Sequence, residues 1–97
     1  MSLYTREQSL VVALWVLAQT SDRVKAKSGA RQAPRPIVEL VNAFGGKHSA
    51  DSIFLHQHGY ERLLLGRDID KTVSETQRAV AQSLVEAGLI EKIHDAE

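Results

Sequence analysis

The apolar and polar positions of this chain fall into four blocks with helical spacing. In the first, Thr5 and Gln8 have the spacing of a capping box and precede the apolar run Leu10 to Ala18, which predicts a helix over about Arg6 to Gln19. In the second, Pro36 suits a first turn, and Ile37, Leu40, Val41 and Phe44 recur at i, i+3, i+4 and i+7 before Gly45 and Gly46 stop the helix. The third starts at a candidate N-cap, Ser49, and places Ile53, Phe54, Tyr60, Leu63 and Leu64 toward a core, with Gly59 marking an interruption or a bend. After the polar turn "RDIDK", the fourth is capped by Thr72 with Glu75. It aligns Val73, Val80, Leu84 and Ala87 on one side and Glu75, Arg78, Gln82 and Glu86 on the other. Gly88 sits where a helix C-terminus wants it, the alternating "LIEKI" reads as a short strand, and the tail "HDAE" reads as frayed.

These elements predict a single domain over 1–97, all-α or mostly α: a four-helix, helix-turn-helix-like unit with at most a short C-terminal β element. The first and last helices are expected to supply most of the core. The first helix is apolar nearly all round, with Leu10, Leu14 and Leu17 on one side and Val12, Trp15 and Val16 spread over others. Such a helix is either central in the core or shared with a partner. Trp15 reads as a core anchor, with a dimer interface as the alternative. Residues 20–36 have no apolar period, hold both prolines and carry five cations, so they read as a basic flexible loop.

Composition adds three constraints. At 97 residues and 43% hydrophobic content the chain is one small globular unit. The absence of cysteine removes disulfides, thiolate metal sites and cysteine nucleophiles. The longest apolar run is too short to span a bilayer, and the polar start does not resemble a signal peptide, so no membrane association and a cytoplasmic location are expected. The net charge is zero, without the basic excess of a strong nucleic-acid binder. The charge is nonetheless divided: residues 1–49 carry seven Lys/Arg against three Asp/Glu, and the remainder five against nine. A dipolar chain of this kind can steer a polyanion to its basic half, or bring its basic half to an acidic partner or to a second copy of itself.

The stretch "TVSETQRAVAQSLVEAGLIEKI" resembles the recognition helix and following strand of winged-helix transcription regulators, with "ERLLLGRDIDK" as the preceding helix and turn. The resemblance implies that Thr72, Ser74, Arg78 and Gln82 approach double-stranded DNA. Arg and Gln can bond guanine and adenine edges, and the hydroxyls suit phosphates. The basic loop, through Lys25, Lys27 and Arg31, is the candidate arm along the phosphate backbone. Glu75 and Glu86 share the helix face and would repel phosphate. The front of the chain, "YTREQSLVVALWVL" and "RPIVELVNAFGGKHSADSI", is similar to the helical segment that precedes the catalytic part of some HNH endonuclease proteins. That likeness implies an accessory or DNA-reading module without nuclease activity. In its register "GGKH" is the turn of a helix-turn-helix, and His48, Ser49, Asp51, Ser52 and His56 face the groove.

The chain shows no nucleophile elbow and no phosphate-binding loop spacing, and His56 and His58 stand too far apart around a helix to share a metal. No enzyme, cofactor or metal is expected. The leading expectation is a small DNA-binding regulator, homodimeric because one short helix reads only a half-site. The alternative is a non-enzymatic adaptor or inhibitor, phage- or plasmid-borne, that acts by binding a partner protein.

Overall fold

The computed structural model describes residues 3–21, 33–70 and 72–94. Among these the chain forms four helices and no strand: α1 (Arg6–Ser21), α2 (Arg35–Ala43), α3 (Ala50–Leu65) and α4 (Glu75–Glu86). The all-α architecture follows the predicted blocks. α1 lies at the centre and packs against each of the other three helices. The radius of gyration, 12.6 Å, matches the roughly 12.5 Å expected for a compact chain of this length.

The start of α1 is set by the predicted capping box. The Gln8 amide donates to Thr5 Oγ1 at 3.1 Å, and the Thr5 amide donates to Gln8 Oε1 at 3.0 Å. Of the segment predicted as a loop over 20–36, both ends belong to helices: α1 runs on through Ser21, and α2 begins at Arg35 with Pro34 at its N-cap. The candidate arm residues Lys25, Lys27 and Arg31 lie outside the described residues. Ala33, at the end of this segment, is buried and its amide donates to the Ala50 carbonyl at 3.4 Å.

The core takes only one side of α1. Its inner face is Gln8, Ser9, Val12, Ala13 and Val16, whereas Leu10 and Leu14 remain 37% and 43% exposed on the opposite side. Trp15 is half-buried against the core. α3, rather than α1 and α4 alone, supplies the largest core side chains: Tyr60, Ile53 and Leu63 are fully buried, and Leu64 nearly so. On α2 the predicted apolar stripe is only partly used. Val41 is buried, but Leu40 and Phe44 are 48% and 49% exposed.

α3 runs through Gly59 without interruption. This glycine is required by close approach: a Cβ at this position would lie 2.8 Å from Gln77 Oε1 and as close to the rest of that carboxamide. The cap of α4 is Ser74, two residues later than the predicted Thr72. Ser74 Oγ accepts from the Gln77 amide at 3.1 Å, and the Ser74 amide donates to Gln77 Oε1 at 3.0 Å. The helix starts later because Val73 turns into the core, which leaves Thr72 exposed outside the helix.

"LIEKI" is not a strand. Gly88 adopts φ +80°, and the Leu89 amide donates to the Leu84 carbonyl at 2.9 Å while the Gly88 amide donates to Val85 at 3.0 Å. This is a Schellman ending. No neighbouring strand satisfies the backbone beyond it; instead Ile90 and Ile93 pack against the core, and the His94 amide donates to the Leu63 carbonyl at 2.7 Å.

Candidate functional site

The predicted DNA-facing residues of α4 lie on the surface. Thr72, Ser74, Arg78 and Gln82 are all exposed. Arg78 and Gln82 share the outer stripe with Glu75 and Glu86, and Gln82 Nε2 donates to Glu86 Oε2 at 3.5 Å. The stripe therefore carries one cation and two carboxylates. Ser74 Oγ is already committed to capping the helix.

The five residues that the alternative register, with α3 as the reading helix, turns toward a groove differ in exposure. His48 is buried, Ser52 Oγ bonds the Tyr4 hydroxyl at 2.9 Å, and His56 is half-buried behind Tyr4. Only Ser49, the N-cap, and Asp51 remain exposed. Of the five, His48 is turned inward, and Ser52 and His56 are engaged by Tyr4 and Ser9.

What the fold brings together instead is a polar cluster at the junction of the leading segment, α1 and α3. The Tyr4 ring is stacked between two imidazoles, with centroids 3.9 Å from His48 and 3.8 Å from His56 and interplanar angles of 14° on both sides. His56 Nε2 shares a hydrogen bond of 2.7 Å with Ser9 Oγ, which also bonds the Tyr60 hydroxyl. The backbone of His48 is held by one side chain: Asn42 Nδ2 donates to the His48 carbonyl at 2.9 Å, and Asn42 Oδ1 accepts from the His48 amide at 2.7 Å. His48 Nε2 is buried and has no partner. Burial pushes the His48 imidazole below its ordinary value, and raises both the Tyr4 and Tyr60 hydroxyls against the weaker opposing effect of their serine bonds.

Ser9 and His56 have the spacing of a nucleophile and its base. Ser9 is fully buried, however, and its hydroxyl is shared with Tyr60. A second polar group lies along α3, where Glu61 accepts from Gln57 Nε2 at 2.9 Å and pairs with His58 at 3.2 Å and Arg67 at 3.7 Å. Among the described residues no three His, Asp or Glu side chains gather as a metal ion would need. None of the described helices is long and apolar enough to cross a membrane.

No protein-family model, curated protein or solved structure matches this chain. Large apolar side chains are exposed on several elements, Leu40 and Phe44 on α2, Leu55 on α3 and Leu89 after α4 among them, and also on the central helix. Leu10 and Leu14 point away from the core on α1, and the helix and its approach carry no charged residue from Gln8 through Ser21. Sequence spacing had placed these leucines together on one side; the decision that this side faces outward came from Gln8 and Ser9, whose polar side chains find partners only inside.

Proposed function

We propose that this protein is a non-enzymatic interaction domain that pairs with a second copy of itself through the outer face of α1. The carrying observation is the exposure of Leu10 and Leu14 on the side of α1 opposite the core. Exposed apolar side chains repeated at i and i+4 on a central helix form a self-complementary strip. Charge favours a copy as the occupant. The chain has no net charge to keep copies apart, Arg6 and Glu7 at the start of the strip are of opposite sign, and its basic first half and acidic second half attract across a pair. One helix face falls short of the roughly 800 Å² per partner of a standard interface, so the expected dimer is weak.

The test is sedimentation over a concentration series from about 5 to about 500 µM, a range suited to weak association. The wild type is expected to shift from monomer to dimer. Leu10→Ser with Leu14→Ser is expected to remain monomeric and folded, with a stability loss of about 1–3 kcal/mol because both side chains are more than half covered within the monomer. A wild type that stays monomeric throughout overturns the reading.

A second reading, duplex DNA, is favoured by the joint exposure of Thr72, Ser74, Arg78 and Gln82. It expects binding to a random-sequence labelled duplex at low salt, with affinity falling steeply as salt rises. Arg78→Ala is expected to weaken that binding about tenfold without unfolding the protein. No anisotropy change at low salt removes this reading.

A further inference from the structure

We propose that Tyr4, clasped between His48 and His56, is an acid-released latch that ties the segment leading into α1 to the α2–α3 loop and to α3. The clasp is the main described tether of that segment. The Tyr4 ring lies against both imidazoles, its hydroxyl bonds Ser52, and Thr5 next to it holds the amides of Gln8 and Ser9.

Acid acts on it through His48. The groups around this imidazole are the Tyr4 ring from the leading segment, Asn42 from α2 on its backbone and, beyond the Tyr4 ring, His56 from α3, while the Gln8 carboxamide of α1 lies on the other side of Gly46. Both amides are neutral. Lys47 beside it in the chain adds a like charge, while Glu7 and Asp51 are exposed and form no ion pair with it. A proton on His48 therefore enters a buried site whose Nε2 has no acceptor. An imidazolium against the tyrosine face gains cation–π attraction, but in this buried site it loses its hydration without an acceptor to replace it. The direction follows from linkage. Burial, to which the Tyr4 ring contributes, holds His48 below its ordinary value of 6.5, so His48 binds the proton more readily once the Tyr4 segment has left it. The latch is fully closed above about 6.5 and weakens as pH falls through and below that value.

The experiment is amide hydrogen exchange with imidazole titration by NMR on the full chain. The reporters are the Gln8 and Ser9 amides, which bond Thr5 and lose those bonds when the segment leaves. After correction for intrinsic exchange, their protection is expected to fall at least about tenfold from pH 7.5 to pH 5, while Ala81 and Leu84 in α4 hold theirs. In His48→Phe, which stacks but does not titrate, Gln8 and Ser9 are expected to keep their protection at pH 5. Unchanged wild-type protection overturns the latch. So does an equal loss throughout α4, which would be general acid unfolding, or a His48→Phe protein that loses protection as the wild type does. Should His48→Phe not fold, the wild-type titration decides: the His48 midpoint must coincide with the loss of protection, and separation of the two overturns the proposal.

Discussion

Gln77→Glu is expected to destabilise the fold by about 3 kcal/mol at neutral pH, far beyond what a conservative change at a helix N-terminus ordinarily costs. In a capping box Glu and Gln serve equally, because only a side-chain oxygen is needed to accept the N-cap amide. Here the other half of the carboxamide is also used. Gln77 is 2% exposed, and its Nε2 donates to the His56 carbonyl at 2.7 Å, linking the start of α4 to the middle of α3. Glutamate keeps the cap but replaces a donor with a buried charge facing a carbonyl oxygen, a change that removes a hydrogen bond and leaves a charge unpaired. The same reasoning applies to Gln8, whose Nε2 donates to the carbonyls of Val41 at 3.2 Å and of Gly45. Denaturant unfolding of Gln77→Glu against wild type measures the loss. Protonation would restore a donor, so the gap between variant and wild type at the same pH is expected to narrow toward pH 4. A change below about 0.5 kcal/mol, the range of a neutral surface substitution, would show that the bond to His56 contributes little.

Gly59→Val is expected to cost about 3 kcal/mol or more, and the cost should depend on Gln77. The first added carbon already falls on the Gln77 carboxamide, held by its cap bonds and by His56, and the branched carbons of valine reach further toward α4. Overpacking of about 1–3 kcal/mol adds to the lost hydrogen bond of about 1 kcal/mol. Gly59→Ala separates the two effects. In the wild-type background it should destabilise, because Gln77 must move. In a Gln77→Ala background, where the obstructing side chain is gone, it should become neutral or stabilising by up to about 1 kcal/mol, as alanine is the better helix former. A double-mutant cycle reads the coupling directly. Additive effects would mean that Gly59 is not kept for the sake of Gln77.

These residues show where sequence patterning stopped being informative. Local rules account for the helix blocks, the first capping box, Pro36 in the first turn of α2, Ser49 as the cap of α3 and Gly88 at the end of α4, because each depends on neighbours within one turn. Thr72 and Ser74 both offer a capping hydroxyl, and only the burial of Val73 selects Ser74. "LIEKI" has the alternation of a strand but no strand to pair with, and alternation alone cannot supply one. Of the candidate site, the outward position of Thr72, Arg78 and Gln82 was legible, since polarity and helical period agree there. The clasp was not. Tyr4, Ser9, His48, His56 and Tyr60 come from separated parts of the chain, and nothing in their spacing announces a stack or a shared hydroxyl.

By itself the sequence determined the class of this protein: an α-helical chain with no cysteine chemistry, no net charge and no apolar run long enough for a membrane. Helical period and capping act over a few residues, so they survive in one dimension. Only the tertiary structure decided which side of α1 faces inward. Hydrophobicity left the choice open on a helix apolar nearly all round, but Gln8 and Ser9 have hydrogen-bond partners on α2 and α3, and burying them there leaves Leu10 and Leu14 partly exposed. A buried polar group is stable only with its partner in place, and partners set 33 to 51 residues apart are brought together by the fold alone.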